Sequence, residues 1–286
     1  MANIIDLPDF MFVNNDRQYN KLSKILLFLK GLLVGFIFKI TNGKLFCFFI
    51  NFIFRKDGKI HYQDNFYFKT LSNNKIIRYP NKRIDRVVIN HRKHFKFFLE
   101  SYCIDQIEIN DDDLIVDCGA NVGELFYALD LLNYKLKYIG FEPDPNTFRC
   151  LSKNLKESGM LSYEVGLSDK TEEKEFYIDT NGADSSLVYF GNKDSVKITT
   201  SILDEYNLDK IKLFKVEAEG HELEVLMGAQ ETLQRIKYIS VDYGPEKGIN
   251  KDTTVAEVTN YLFNKNFEMI SGSKYRQIGL FKNKLI

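Results

Sequence analysis

The stretch Leu114–Glu124, Leu-Ile-Val-Asp-Cys-Gly-Ala-Asn-Val-Gly-Glu, constrains the fold of this chain more than any other. A short apolar run ends in Asp117, two glycines follow at Gly119 and Gly123, and an apolar run from Leu125 to Leu132 resumes with helical spacing. Strand, tight turn and helix in that order form the first unit of an open α/β sheet, and such sheets bind ligands beyond the carboxyl ends of their strands. Glycine permits positive φ and a close approach to the backbone. The stretch therefore favours a nucleotide-like ligand, with Asp117 placed to accept hydrogen bonds at the strand end.

After residue 110 strands and helices alternate, as βαβ units do. The pattern predicts strands over 114–117, 138–142, 162–166, 212–217 and 238–242, with helices over 123–132, 145–158 and 221–235. Asp144 suits an N-cap and Pro145 the first helical position, while Gly159 suits a helix stop. Residues 175–178 and 195–199 read as extra strands, a short helix starts at Ile202, and Thr253 or Thr254 caps a helix reaching Asn264. Residues 267–270 and 277–281, joined by Ser271-Gly272-Ser273, should pair antiparallel, giving a mixed sheet.

The residues before about 105 form an amino-terminal α/β extension, and the domain boundary is expected there, separating 1–104 from 105–286. Ile25–Phe38 and Leu45–Phe54 are apolar runs separated by a Thr-Asn-Gly-Lys turn. Neither reaches the ~20 apolar residues that cross a bilayer. A span is therefore the least favoured outcome for 25–54, after packing on the main domain or a partner, and lying in a membrane interface with Lys24, Lys30 and Lys39 snorkelling. Short strands follow over 59–62, 65–69 and 75–79, with Asp57-Gly58 as a hairpin turn, and then a helical region over 84–104 with Phe95, Phe98 and Leu99 on one side.

Composition narrows the partners. Lys plus Arg and Asp plus Glu are both 39, so the chain carries no global basic field for nucleic acid. Four scattered cysteines, Cys47, Cys103, Cys118 and Cys150, fit reduced thiols in a cytoplasmic protein better than a disulfide framework, and no metal-ligand spacing occurs. The first residues, with an Asp and no basic run, do not read as a secretory signal.

Glu142 ends the second core strand, where an acid takes the ribose hydroxyls of an adenosine ligand. The glycine turn lacks the third glycine of the dinucleotide fingerprint. A pyrophosphate needs that close helix approach, whereas an adenosine ligand without phosphates does not, which favours S-adenosylmethionine (SAM) over NAD.

Asp117-Cys-Gly-Ala-Asn-Val-Gly-Glu124, Gly140-Phe-Glu-Pro-Asp-Pro145, Gly166-Leu-Ser-Asp169 and the run Phe214–Ala229 resemble, in order and spacing, the successive motifs of FkbM-type SAM-dependent methyltransferases. The resemblance covers about residues 110–245. It implies a class I methyltransferase Rossmann-like fold, with seven strands and the last antiparallel. It also implies O-methylation of a hydroxyl, often on a sugar or polyketide. By position, Asp117, Gly119, Asn121, Gly123 and Glu124 would hold the methionine part, Glu142 the ribose, and Ser168 and Asp169 would lie near the adenine. Where the family usually carries Asp, this chain has Glu217, with the same charge and one more methylene.

Methyl transfer to a hydroxyl needs an acceptor oxygen held in line and a base for its proton. Glu217 is expected to face the cofactor, leaving His221 and Glu219 as the catalytic pair on the acceptor side. The loop Asp242–Gly248 follows the fifth strand and is either one wall of the acceptor site or an ordinary connection. Two other functions compete: a nicotinamide-dependent oxidoreductase, disfavoured by the absent third glycine, and a non-catalytic binding module, disfavoured by the intact acidic and glycine positions. The acceptor and the oligomeric state are not readable from the sequence.

Overall fold

The computed structural model describes residues 20–55, 58–178, 185–191 and 194–286, without the side chains of Ser23, Lys24 and Leu27. The expected signal-free start, the snorkelling of Lys24 and Asp57 of the expected turn lie outside these. The chain forms two compact units that divide between His91 and Arg92.

The first unit carries helices α1 (Lys21–Ile40) and α2 (Gly43–Ile53) and strands β1 (Ile60–Gln63), β2 (Phe66–Thr70) and β3 (Ile76–Tyr79) in an antiparallel sheet of order β1-β2-β3. Helix α2 buries Phe46, Cys47 and Ile50. The Asn51 amide ties it to β1, donating to Ile60 O at 2.8 Å and accepting from Ile60 N at 2.9 Å. Lys69 is buried with its ammonium hydrogen-bonded, donating to the carbonyls of Val87 and Val88, each at 2.8 Å. Among the described residues no helix is long and apolar enough to cross a membrane.

The second unit contains nearly all of helix α3 (His91–Ser101). The division falls earlier than the expected boundary near 105, and side-chain contacts give the reason. Phe95 stacks on Tyr127 with centroids 6.3 Å apart, and Ser240 Oγ donates to Tyr102 O at 2.7 Å.

The remaining elements follow in order: β4 (Leu114–Cys118), α4 (Glu124–Asp130), β5 (Lys137–Phe141), α5 (Pro145–Lys156), β6 (Leu161–Tyr163), β7 (Gly166–Leu167), β8 (Glu173–Tyr177), β9 (Ser195–Ser201), β10 (Ile211–Val216), α6 (Glu222–Met227), β11 (Ile236–Asp242), β12 (Pro245–Lys247), β13 (Asp252–Thr253), α7 (Val255–Asn264), β14 (Phe267–Gly272) and β15 (Ile278–Asn283). Seven strands form the central sheet in the order β14-β15-β11-β10-β4-β5-β6. Neighbours from β11 through β6 run parallel, and β15 is antiparallel to both β11 and β14. Renumbered within the sheet this is 6-7-5-4-1-2-3 with the last strand reversed, the class I methyltransferase arrangement expected above. The inner strands are buried on both faces, so they read as near-continuous apolar runs rather than alternating ones.

Three elements differ from expectation for identifiable reasons. The third strand splits: β6 stays in the main sheet, while β7 pairs with β9 in a separate sheet of order β7-β9-β8. The helix expected over 221–235 ends at Met227. A Cβ at Gly228 would lie 1.9 Å from Ser168 O, so the chain must pass that point without a side chain. Asp204 then takes the freed donors of Glu231 N and Thr232 N at 3.0 and 2.8 Å. The turn of the carboxyl-terminal hairpin falls beyond Gly272, where Ser273 Oγ accepts from the backbone of Tyr275 and Arg276. The expected cap of α5 forms, with Thr147 N donating to Asp144 Oδ1 at 2.7 Å.

Candidate functional site

The loops after β4, β5, β10 and β11 gather at the carboxyl edge of the sheet, because those strands are parallel neighbours. The loop after β4 folds back on β5: Gly119 N and Ala120 N both donate to Phe141 O, at 3.0 and 2.9 Å. Gly119 has φ +69, and a Cβ there would sit 2.0 Å from Glu217 O. The sequence suggests that this glycine makes room for a ligand; the chain itself demands it, so that the β4 and β10 loops can touch. Gly123 has φ +90 and opens α4, with Leu151 lying 3.2 Å from where its Cβ would be. Asn121 adopts φ +51, a conformation asparagine tolerates better than most residues.

Beneath this turn lies a buried ionic cluster. Lys215, 1% exposed, donates to Asp117 Oδ1 at 2.9 Å and to Gly119 O at 3.1 Å, and pairs with Glu217 Oε2 at 3.0 Å. Tyr138 OH donates to the other Asp117 oxygen at 2.6 Å. Both oxygens of Asp117 thus have partners within the chain, so its first task is to hold Lys215. Arg276, delivered by the hairpin turn, donates to Glu217 Oε1 at 2.9 Å and to Tyr102 OH at 2.7 Å, and pairs with Asp242 Oδ2 at 2.5 Å. Burial pushes the Glu217 carboxyl up, but Lys215 and Arg276 outweigh it and hold the group well below the ordinary carboxylate range. Asp242 has less compensation, and burial lifts it to about 6. Glu246 is lifted to about 8 by burial and by the neighbouring charges of Asp242 and Glu217.

Glu142 stands one strand over. Its Oε2 accepts from Asn121 N at 2.8 Å and its Oε1 from Asp144 N at 3.0 Å, so two loops are aligned on one carboxylate. Glu124, at the start of α4, is buried and pairs with His94 Nε2 at 3.0 Å. Ser168, Asp169 and His221 form a third group. Ser168 Oγ donates to Asp169 Oδ1 at 3.1 Å and lies 3.0 Å from His221 Nε2, while His221 Nδ1 lies 3.5 Å from Glu224. Glu219 is not in this group. Its backbone has φ +50 and its carbonyl accepts from Ser186 Oγ at 2.7 Å. Between Glu219 and His221, Gly220 has φ +94 and passes so close to Lys247 that a Cβ would sit 2.6 Å from its Cα. Among the described residues no group of three His, Cys, Asp or Glu side chains is arranged to hold a metal ion, and all four cysteines are free and buried.

Three organising residues escaped the sequence argument. Lys215 left a usable signal, since a lysine inside an interior apolar strand is rarely buried without a partner. Glu222 shapes the β10 loop by accepting from Ala218 N, Gly220 N and Thr254 Oγ1. It also had a signal, an acid in the first turn of a helix. Arg276 had none, because only the hairpin brings it to Glu217.

A 144-residue segment is 31% identical to the hexuronic acid methyltransferase AglP of Haloferax volcanii, covering 47% of this chain and 57% of that protein. The 2-O-methyltransferase NoeI of Sinorhizobium fredii is 24% identical over 182 residues, 56% of this chain and 74% of that protein. A solved FkbM methyltransferase from Methylobacillus flagellatus superposes with a TM-score of 0.48 and 15% identity, over 70% of this chain and 52% of that chain. This chain thus spans little more than half the length of the first of these relatives. Residues 117–269, more than half of the 286, match the methyltransferase FkbM domain. The chain belongs to the FkbM methyltransferase family.

Proposed function

We propose that this methyltransferase uses SAM to methylate a hydroxyl group, and that the acceptor is a sugar in a polysaccharide or glycoconjugate precursor. The observation that carries the cofactor assignment is Glu142, a buried carboxylate at the carboxyl end of β5 whose two oxygens are fixed by backbone N–H groups of adjoining loops. Such a group has lone pairs left for the two donors of a ribose. The charge of the edge suits the rest of the molecule: three carboxylates, Asp117, Glu217 and Asp242, stand against two cations, Lys215 and Arg276, and the surplus negative charge favours a sulfonium and an ammonium. SAM brings a methyl already activated by its sulfonium. The chain's own task is to orient the acceptor hydroxyl and take its proton, which we assign to His221, with Glu219, across the Gly220 turn and outside the Ser168–His221 group, as the alternative base. Asp117, Gly119, Asn121, Gly123 and Glu124 shape the methionine end, the first two through Lys215 and the Glu217 carbonyl, and Ser168 and Asp169 flank the adenine end. The sugar acceptor is supported by two relatives whose names specify a hexuronic acid and a 2-O position.

Calorimetry with SAM and with NAD tests the cofactor. SAM should bind and NAD should not, and Glu142→Ala should weaken SAM binding by about 1.5–3 kcal/mol, the scale of hydrogen bonds to a charged group. Burial lifts the Glu142 carboxyl to about 7, against the opposing hydrogen bonds of Asp144 N and Asn121 N. Ribose hydroxyls donate to the ionised form, so SAM affinity should tighten as pH rises through about 7 and then level off; Glu142→Gln should flatten that profile. Unchanged affinity in a folded Glu142→Ala variant would place the ribose elsewhere. For the acceptor, mass spectrometry of surface glycans from cells with and without the protein should differ by one methyl. A methyl found on a non-carbohydrate hydroxyl instead would overturn the sugar assignment and leave the SAM assignment standing.

A further inference from the structure

The first unit exposes an apolar surface that methyl transfer does not explain. Among the described side chains of α1, nine large apolar ones are each more than half exposed, Phe28, Leu32 and Phe36 among them. At about 100° per residue they cover an arc of roughly 160°, and the buried Val34 and Ile37 lie outside it. Helix α2 repeats the pattern on a smaller scale: Phe46, Cys47 and Ile50 are buried, while Leu45, Phe48 and Phe52 are exposed, Phe52 by 70%. Isolated exposed apolar residues are ordinary, but a continuous face of this width marks an interaction surface.

Charge identifies the partner. Residues 20–55 contain Lys21, Lys24, Lys30, Lys39, Lys44 and Arg55 and not one Asp or Glu. The chain as a whole is balanced, so this segment concentrates positive charge beside its apolar face. A second copy docking through the same face would bring like charges together. A protein partner would need its own acidic rim. An anionic lipid surface supplies both requirements at once, hydrocarbon for the apolar arc and phosphate for the lysines. A groove of about 350 Å³ beside Phe48, lined also by Lys44, Asn51 and His61, adds cationic and polar groups next to that face. The helices do not meet the requirement for a span, so the geometry is that of helices lying in the interface with lysines reaching toward the headgroups.

We propose that α1 and α2 dock this protein peripherally onto an anionic bilayer through their exposed apolar faces. The docking does not rest on the methyl-transfer assignment, and its test reads no activity. Full-length protein is floated with vesicles of phosphatidylcholine alone and of phosphatidylcholine with phosphatidylglycerol, at low and high salt. It should float with the anionic vesicles at low salt and lose at least tenfold in bound fraction on neutral vesicles or at high salt. Phe28→Ser/Leu32→Ser/Phe36→Ser should abolish flotation, as should Phe48→Ser/Phe52→Ser. These side chains are exposed, and circular dichroism should report an unchanged fold. Lys21→Gln/Lys39→Gln/Lys44→Gln should remove the preference for anionic lipid. Protein that stays with the soluble fraction at low salt, or apolar variants that float like the parent, would overturn the proposal. A lipid-free dimer in light scattering that the same apolar variants convert to monomer would overturn it in favour of a second copy as the occupant.

Discussion

Lys215→Met should destabilise the protein by about 3–5 kcal/mol, the cost of leaving buried charge uncompensated. Lys215 is fully enclosed and holds two carboxylates, Asp117 and Glu217, as well as the carbonyls of Cys118 and Gly119. Methionine fills much the same volume, so the loss is electrostatic rather than a cavity. Glu217 keeps Arg276 in the variant, whereas Asp117 keeps only the Tyr138 hydroxyl among these named partners. Adding Asp117→Asn to Lys215→Met should therefore recover part of the loss, because the orphaned charge goes with its partner. Urea unfolding of the three proteins measures this through the midpoint at constant slope. A loss below about 1 kcal/mol in the single variant would mean that Asp117 takes up a proton inside the fold and that the pair contributes little.

His221→Ala should lower turnover by about 10²-fold or more while leaving SAM affinity intact, the usual scale for a lost general base. The imidazole is nearly enclosed, with Nε2 on Ser168 and Nδ1 beside Glu224. Burial lowers its pKa, with Glu224 opposing, so the ring is neutral and able to accept a proton near pH 7. The acid limb of the kcat profile should consequently lie below the ordinary histidine range of about 6.5, and it should vanish in His221→Ala. Single-turnover kinetics across pH checks both statements. Ser168→Ala should cost less, since it frees Nε2 rather than removing it. Near-parental turnover in His221→Ala, with collapse in Glu219→Gln, would exchange the two proposed roles. Activity in both variants would leave catalysis to positioning alone.

Much of this protein was legible locally. Strand β4, the glycine turn and α4 follow from one apolar run and two glycines, and α5 follows from Asp144 and Pro145. These signals act within a few residues, where backbone sterics and capping bonds are decided. Even the reversed last strand was foreshadowed, because the two carboxyl-terminal strands lie too close in sequence for a parallel crossover. The site was only half legible. Its residues lie at predictable strand ends, yet what each one touches depends on which ends the sheet makes neighbours.

Pairings over long separations made the difference. Asp117 meets Lys215 across 98 residues, and Arg276 reaches Glu217 across 59 and Tyr102 across 174. No periodicity or turn signal carries information over such distances. Gly119 shows the same division within one residue: the sequence demanded a glycine, and only the tertiary structure supplied the reason, the Glu217 carbonyl standing where a Cβ would go. The amino-terminal helices show it too. Their apolar runs determined that α1 and α2 would form, but which face turns inward was set by packing, which buried Val34, Ile37, Phe46 and Ile50 and left Phe28, Leu32, Phe36, Phe48 and Phe52 outside. A helix that is apolar nearly all round has no preferred inner face of its own, so its orientation is fixed by what it packs against.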